Sequence, residues 1–228
     1  MTFDEFNQQM IISLEDICWE IFHGDNATIK VKNPKIGIKK LIKIIEAALK
    51  ISNEKGFHAM GLRELCKECG MSMGGLYAYI DTKEDLLKIM HDQGRRVLKS
   101  LIAQKLISID HPQDKLDLAI RLHLFLSEKM QPWFYFSYME TRFFSQDVKK
   151  ISMSNELYTE SIFKEIVEQG CQNNLFKQVD PLFTASIIKA MLQDWYLKRW
   201  KYKNRNISVD QYADFVIDWT HSFLNPAS

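Results

Sequence analysis

Two short helical segments joined by a three-residue turn constrain the fold of this sequence more than any other feature. The first segment, Leu62 to Cys69, has apolar residues at helical spacing and stops at Gly70. After Met71, Ser72 is a favourable N-cap for the second segment. Two short helices separated by such a turn are typical of a helix-turn-helix.

Two adjacent glycines, Gly74 and Gly75, stand at the start of the second segment. Each lowers helix stability by about 1 kcal/mol relative to alanine, so their position needs a physical reason. Residues without side chains allow a helix in the major groove to bring its backbone close to base edges and phosphates. The pair therefore predicts a surface that faces a nucleic-acid duplex.

The distribution of charge supports this interpretation, although the net charge is only +1. Residues 1–34 contain six acidic residues and two lysines, and residues 35–99 contain thirteen basic and eight acidic residues. Residues 100–228 are balanced at fifteen of each. This asymmetry indicates that one part of the molecule meets a polyanion and the rest does not, although charge alone also fits a solvated helix face.

Helix signals also occupy the N-terminal third. A capping box at Thr2 predicts one amphipathic helix that ends near His23, and Asn33-Pro34 predicts a helix that ends at Gly56. Between them, residues 27–32 alternate as a short strand would, but no partner strand is evident, so we expect an extended arm.

Residues 100–228 predict about five more helices, so we expect an all-α protein. Their starts are marked by Pro112, Pro132, Ser152 or Ser154, Pro181 and Ser208. In the last two helices, apolar residues such as Phe183 and Phe215 extend beyond a single stripe. A second buried face on these helices predicts a partner subunit.

Several classes of site are disfavoured by the sequence. Because the sequence has no recognisable secretory signal, its four cysteines are predicted to be free buried thiols. Cys66-x-x-Cys69 lacks the further ligands of a zinc site and the context of a redox site, so we expect no metal and no cofactor. Without a recognisable catalytic motif, we expect no enzyme. An acidic N-terminus and the lack of an apolar run of roughly 18 residues predict a cytoplasmic protein.

Residues 36–90 resemble the DNA-binding domain of the TetR family of bacterial transcriptional regulators. The match covers several motifs at the family's spacing: Gly56-Phe57, Leu62, Leu65-Cys66, Cys69-Gly70-Met71-Ser72, Gly74, Leu76-Tyr77, Tyr79-Ile80, Thr82-Lys83-Glu84 and Leu86-Leu87. The resemblance implies three segments: an N-terminal extension (1–33), a three-helix domain with the helix-turn-helix (34–90), and a larger helical domain for effector binding and dimerisation (91–228).

The resemblance also implies which residues bind DNA. In the family, the residues at the places of Tyr77, Tyr79 and Lys83 contact the backbone, and those at the start of the recognition helix approach base edges. The expected DNA contacts are Arg63, Ser72, Met73, Gly74, Gly75, Tyr77, Ala78, Tyr79 and Lys83. The alternative for the two tyrosines is partial burial against the first helix of the domain.

Two departures from the family pattern bear on base recognition. Met73 stands where a lysine is common, and Gly75 where a hydrogen-bonding residue is common. Recognition would then depend more on Arg63, on Ala78 or on the basic arm. Lys30, Lys32 and Lys35 of that arm could follow the minor groove, or the arm could pack beside the acidic N-terminal helix.

For the larger domain, the resemblance implies a homodimer built on the last two helices, with two recognition helices on a pseudo-palindromic operator. The aromatic stretch after Pro132 fits an apolar effector pocket. The expected pocket residues, each of which could instead be plain core, are Trp133, Phe136, Tyr138, Met139, Phe143, Tyr158 and Trp195.

The function we expect is a ligand-responsive DNA-binding regulator, a repressor released from its operator by a small apolar molecule. The alternative is a helical small-molecule-binding or protein-interaction module without DNA binding.

Overall fold

The computed structural model describes residues 1–9, 13–24, 28–140 and 146–225, and all the regular elements in these ranges are helices. The α-helices are α1 (Phe3–Gln9), α2 (Leu14–His23), α3 (Pro34–Lys55), α4 (Leu62–Cys69), α5 (Met73–Leu76), α6 (Lys83–Leu106), α7 (Pro112–Lys129), α8 (Gln131–Met139), α9 (Gln146–Gln172), α10 (Pro181–Leu197), α11 (Arg199–Asn204) and α12 (Val209–Leu224). A 3-10 turn spans Phe57–Ala59. Each helix described is too short or too polar to traverse a membrane.

The predicted caps begin most of these helices. Asn33 accepts a hydrogen bond from the backbone of α3, and Asp180 does the same for α10, each before a proline at the first helical position. Ser208 begins α12 in a capping box with Gln211. Because a cap depends only on neighbouring residues, these helix starts could be predicted from sequence.

The prediction of a single N-terminal helix is wrong, because two helices occupy that region. Ser13 forms a capping box with Asp16 and begins α2 independently of α1. The hydroxyl of Ser13 accepts from the backbone N–H of Asp16 at 3.1 Å, and the Asp16 carboxylate accepts from the backbone N–H of Ser13 at 2.9 Å. The capping residues were visible in the sequence, but the continuous apolar stripe obscured them.

Other boundaries also differ from expectation. Helix α9 begins at Gln146 rather than at Ser152 or Ser154. The predicted helix after Pro181 is divided at Lys198, whose dihedral angles (φ −120°, ψ 37°) end α10 before α11 begins. Helix α5 has four residues, although the sequence predicted a helix reaching about Ile80.

Contacts divide the chain into two compact units. The helix-turn-helix unit comprises Ile11–Val97 and Pro132–Ser152, and the C-terminal unit comprises Met1–Met10, Leu98–Gln131 and Met153–Ser228. Helix α1 therefore belongs to the C-terminal unit. Helix α2 and almost all of α8 belong to the helix-turn-helix unit. The chain therefore passes between the units several times.

The helix-turn-helix unit is built on α3, the 22-residue helix that packs against α2 and α4. Gly37 lets α2 approach closely, because a Cβ there would lie 2.2 Å from Cε2 of Phe22. The core is formed by buried aliphatic and aromatic side chains, among them Leu41, Ile44, Ile45, Leu65, Leu76 and Ile80. Burial of this surface is the main source of the unit's stability.

Helix α8 packs within the same unit. The Phe136 ring lies edge-on to Phe57 with centroids 5.6 Å apart, and 6.1 Å from the imidazole of His91. Asn53 Nδ2 donates to the carbonyl of Pro132 at 3.2 Å. Burial of His91 lowers the pKa of its imidazole to about 4, so the ring is neutral at pH 7.

The C-terminal unit is organised around α7, which packs against α10 and α12. Helix α1 is part of its core, because Phe6 is fully buried and its ring centroid lies 5.6 Å from that of Phe125. The backbone N–H of Phe3 donates to Oδ1 of Asp210 at 2.8 Å. The beginning of the N-terminal extension is therefore an integral helix of this unit.

Candidate functional site

The turn between α4 and α5 has the backbone geometry that a helix-turn-helix needs. Gly70 lies in the left-handed region (φ 67°, ψ 37°), where a side chain is unfavourable, and it ends α4. The backbone N–H of Met71 donates to the Cys66 carbonyl at 2.9 Å. Ser72 begins α5, and its hydroxyl accepts from the backbone N–H of Gly75 at 3.1 Å.

The glycine pair lies at the surface of this turn. Gly74 is exposed and Gly75 half-buried, and neither has a positive φ. A Cβ on Gly74 would meet nothing within 4 Å, while one on Gly75 would lie 3.3 Å from Ser72 Oγ. Packing inside the molecule therefore does not require a glycine at position 74, which leaves the space in front of it open to an external partner.

Other predicted DNA contacts surround the glycines. Arg63 is exposed on α4, and Tyr77 is 41% exposed at the end of α5. Ala78 is half-buried. Met73 is also half-buried, with its sulfur 3.4 Å from that of Cys66, so part of its side chain packs on α4. The exposed members of the predicted set are thus Arg63, Ser72, Gly74 and Tyr77.

One predicted contact, Tyr79, needs correction, and another, Lys83, has partners inside the protein. Tyr79 is 1% exposed, so its ring belongs to the core rather than to the surface. Lys83 Nζ lies within hydrogen-bonding distance of the carbonyl oxygens of Phe57, His58 and Met60, at 3.3, 2.9 and 3.2 Å. The ammonium thus donates to carbonyls of the turn that follows α3, of which that of Phe57 also accepts from the backbone N–H of Met60 at 3.1 Å. The contact is between residues 23 to 26 positions apart, which the sequence did not indicate.

The arm before α3 lies against the end of the recognition segment. The backbone N–H of Lys30 donates to the Ala78 carbonyl at 2.8 Å, and its ammonium lies 2.5 Å from a carboxylate oxygen of Asp81. Lys32 and Lys35 are exposed. The charge of Lys30 is therefore partly neutralised, whereas Lys32 in the arm and Lys35 in the first turn of α3 are accessible charges.

The cysteines are free and buried, as the sequence predicted. Burial raises the pKa of the thiols of Cys66 and Cys69, which makes them poor nucleophiles and metal ligands. In the described ranges, no group of three or more His, Cys, Asp or Glu side chains could hold a metal ion.

The C-terminal unit exposes large apolar side chains on α10 and α12. Phe183 is 72% exposed and Phe215 is 66% exposed. Others with substantial exposure are Leu182, Ile187, Trp219 and Phe223. The opposite sides of these two helices pack on α7, so the exposed residues form a second apolar face.

The predicted effector residues are not brought together in one unit. Trp133, Phe136, Tyr138 and Met139 lie on α8 in the helix-turn-helix unit, where the first two are buried and Tyr138 is exposed. Half-buried Tyr158 lies on α9 in the C-terminal unit. Phe143 lies outside the described residues.

Trp195 is also better described as core. It is fully buried, its ring stacks on those of Tyr202 and Tyr212, and its indole N–H donates to Glu128 Oε2 at 3.0 Å. Because the polar atom of the indole already has a partner, the side chain is satisfied without a ligand. This correction follows from contacts made through residues distant in the sequence.

Sequence reasoning missed a buried polar cluster in the C-terminal unit. Lys189 on α10 is 4% exposed and His123 on α7 is 1% exposed, with Lys189 Nζ 3.2 Å from His123 Nε2. Glu156 on α9 lies 3.5 Å from the same ammonium. The signal available in the sequence was Lys189 itself, a charged residue within the apolar stretch of α10.

Comparison with known proteins agrees with this geometry. Residues 44–90 match the family profile described as "Bacterial regulatory proteins, tetR family", and residues 110–221 match "Tetracyclin repressor-like, C-terminal domain". The chain is 20% identical over 184 residues to the HTH-type transcriptional regulator HbdR of Aromatoleum sp. (strain CIB), covering 81% of this chain and 80% of HbdR.

Two solved structures share the fold. A bacterial regulatory protein in the tetR family from Rhodococcus RHA1 superposes with a TM-score of 0.75 at 21% identity, covering 83% of this chain and 99% of that protein. AibR, solved in complex with isovaleryl coenzyme A and operator DNA, gives a TM-score of 0.70 at 20% identity, covering 79% of this chain and 97% of AibR.

The helix-turn-helix geometry and the two family matches define the class of protein, a helical DNA-binding regulator. The chain belongs to the TetR family of bacterial transcriptional regulators. Like the proteins that it matches, it is a helix-turn-helix transcriptional regulator.

Proposed function

We propose that the accessible surface of α4 and α5 contacts operator DNA through Arg63, Ser72, Met73, Gly74, Gly75, Tyr77 and Ala78. The observation that carries this proposal is the open space in front of Gly74, where an added Cβ would meet nothing within 4 Å. A backbone without side chains at this point can approach a base edge or a phosphate closely. Arg63 and Tyr77 flank it with a cation and a hydroxyl, the groups that bind phosphates.

We assign Tyr79 and Lys83 a supporting role in place of the direct contact that the family resemblance implied. Lys32 of the arm and Lys35 at the start of α3 add accessible positive charge, and we propose that they increase DNA affinity without base specificity. The arm's hydrogen bond from Lys30 to Ala78 supports this placement.

We propose that the exposed apolar faces of α10 and α12 are buried against the same faces of a second subunit. Side chains such as Phe183 and Phe215 favour association because their burial removes apolar surface from water. The two recognition segments of the dimer then contact the two halves of a pseudo-palindromic operator.

We propose an acyl-coenzyme A or a related acyl compound as the effector, because AibR was solved with isovaleryl coenzyme A and operator DNA. An effector that binds more tightly to the conformation unable to bind DNA releases the operator, by no more than its difference in affinity. We further propose that the protein acts in the cytoplasm and has no catalytic role.

Gly74→Ala tests the DNA contact. Alanine keeps the backbone conformation and favours a helix, so the free energy of unfolding should stay equal or rise by up to about 1 kcal/mol. Close approach to the duplex should be blocked, and we expect the affinity for DNA upstream of its own gene, measured by fluorescence anisotropy, to fall roughly ten-fold.

Tyr77→Phe should weaken binding to all DNA sequences alike, because only a phosphate contact is lost. Lys50→Met on α3 is a matched control for nonspecific charge, since this lysine is paired with Glu68 at 2.6 Å. Unchanged DNA affinity in both Gly74→Ala and Tyr77→Phe would contradict the proposed interface. No retarded DNA fragment with the unmodified protein would favour a ligand-binding module without DNA binding.

A further inference from the structure

The buried cluster around Lys189 has no part in the proposed DNA interface or in the dimer face. Three helices of the C-terminal unit contribute to it: His123 from α7, Glu156 from α9 and Lys189 from α10. The ammonium of Lys189 lies 3.2 Å from His123 Nε2 and 3.5 Å from Glu156 Oε1. Its neighbours on α10, Ile188 and Leu192, are fully buried and apolar.

Burial of this ammonium is costly for stability. Removing a cation from water has a penalty of several kcal/mol unless a partner is buried with it in good geometry. Glu156 meets that condition only in part, because its side chain is 44% exposed and its carboxylate also accepts from Gln193 Nε2 at 2.5 Å. A methionine of similar size would fill the same space without the penalty, so packing does not explain the lysine.

The protonation of the cluster makes the lysine a donor. Burial, together with the positive charge of Lys189, holds the pKa of His123 well below its usual value, so the imidazole is neutral. Its Nε2 can then accept a hydrogen bond from Lys189 Nζ. Burial also lowers the pKa of Lys189, and Glu156 opposes that change.

The donor count leaves capacity for another group. An ammonium has three N–H donors. Within the part of the chain that the structure describes, one faces His123 and one faces Glu156. The third can donate to an oxygen that comes from outside the protein.

The charges around the lysine determine what kind of oxygen fits. Lys189 and Glu156 already neutralise each other, and Glu160 adds a second negative charge near the ammonium. A ligand carboxylate would be repelled by both glutamates, whereas a neutral carbonyl oxygen would accept the hydrogen bond without disturbing the balance. The rings of Phe163 and Tyr196 lie 6.5 and 6.4 Å from His123 and provide an apolar surrounding.

We propose that Lys189 donates the hydrogen bond that recognises the carbonyl oxygen of an acyl effector, an ester or a thioester with an apolar chain. The inference rests on the proposed ligand-responsive function and names the group of the ligand that this site reads. His123 holds the ammonium in place, and Glu156 selects against free carboxylic acids.

Calorimetric titration of the full chain with four probes tests this site: decanoyl-coenzyme A, its thioether analogue S-decyl-coenzyme A, methyl decanoate and decanoate. The first two differ only by the carbonyl oxygen. In Lys189→Met, we expect the affinities for decanoyl-coenzyme A and methyl decanoate to fall roughly ten-fold or more, because a hydrogen bond from a charged donor is lost. Binding of S-decyl-coenzyme A should not change.

The proposal would be overturned if Lys189→Met bound decanoyl-coenzyme A and methyl decanoate as tightly as the unmodified protein does, or if its affinity for S-decyl-coenzyme A fell by the same factor. It would also be overturned if the unmodified protein bound decanoate more tightly than both carbonyl probes, or bound neither carbonyl probe. The relative affinities of decanoyl-coenzyme A and methyl decanoate distinguish a thioester from a plain ester. Lys164→Met, on α9 and 41% exposed, is the matched control and should bind all probes normally.

Glu156→Gln provides a second variant that keeps the lysine. With the repelling charge removed, decanoate should gain several-fold in affinity relative to methyl decanoate, and an unchanged ratio would contradict the selection by charge. Lys189→Met should melt at or above the temperature of the unmodified protein, since a buried charge is removed. Failure of the DNA-binding proposal would be seen separately, as loss of promoter binding by the unmodified protein without any ligand.

Discussion

The two exposed surfaces for which we propose functions are opposite in chemistry. The surface of α4 and α5 presents a glycine pair, an arginine and a tyrosine, while the faces of α10 and α12 present large apolar side chains such as Phe183 and Phe215. DNA has a hydrated, negatively charged phosphate backbone, so proteins bind it through positive charge and through close approach of their own backbone N–H groups. A second subunit is bound by removing apolar surface from water.

The two surfaces also differ in how they are supported. In the helix-turn-helix unit, a lysine clamp on the backbone and a buried histidine hold the helices: Lys83 reaches three carbonyls, and His91 packs near Phe136. The apolar face is supported by packing of α10 and α12 on α7. The effects of substitutions that weaken the support of the first surface should therefore depend on pH and on hydrogen bonding. The effects of substitutions in the apolar face should depend on the apolar area removed.

The largest effect should come from a charge on the apolar face. Phe215→Asp places a carboxylate where the subunits would meet, so the dimer should dissociate and operator affinity should fall roughly a thousand-fold, as expected when two linked contacts become independent. Sedimentation measures the first effect and anisotropy the second.

Ile107→Asp provides the control, because Ile107 is 83% exposed and lies outside α10 and α12. It should leave both the mass and the DNA affinity unchanged. A dimeric Phe215→Asp variant would show that the apolar face has another partner.

The next effect concerns pH. Burial lowers the pKa of His91 to about 4 from its ordinary 6.5, so between these values the unfolded chain takes up a proton that the folded chain does not. The free energy of unfolding should therefore fall as pH drops from about 6.5 to about 4, by about 3 kcal/mol from this group.

His91→Leu removes that contribution. Urea unfolding at several pH values should show the difference between the unmodified protein and His91→Leu shifting in favour of the variant as pH falls. Parallel curves for the two proteins would mean that His91 is protonated in the folded state as readily as in the unfolded state.

The smallest of the three effects concerns the lysine clamp. Lys83→Met removes the donor of the His58 and Met60 carbonyls and one of the two donors of the Phe57 carbonyl, and it should reduce the free energy of unfolding by about 2 kcal/mol. Lys88→Met on the same helix is exposed and should have little effect. If Lys83→Met weakened DNA binding with stability unchanged, the result would support the direct phosphate contact that the family resemblance implied.

The helix-turn-helix could be predicted because its signals are local. Gly70 needs a left-handed conformation, Ser72 caps α5, and Thr82 and Asp85 cap α6, each through residues a few positions apart. The same reasoning failed where a local signal was overlooked, as at Ser13, and where a stripe was too short to fix an end, as for α5.

The effector residues could not be distinguished from core residues in the sequence for a different reason. An aromatic residue has the same sequence signature whether it fills a core or lines a pocket. The stack of Trp195 with Tyr202 and Tyr212 depends on how α10, α11 and α12 pack, and the sequence contains no periodic signal for that arrangement.

The sequence by itself determined the helical class, the turn with its glycine pair, the free thiols and the apolar excess on the last two helices, because caps, periodicity and burial tendency act over a few residues. Only the tertiary structure decided that Lys83 binds backbone carbonyls, that α8 packs in the helix-turn-helix unit, and that Lys189 meets His123 across 66 positions. Such contacts depend on the packing of whole helices, in which small differences in apolar contact determine which distant side chains meet.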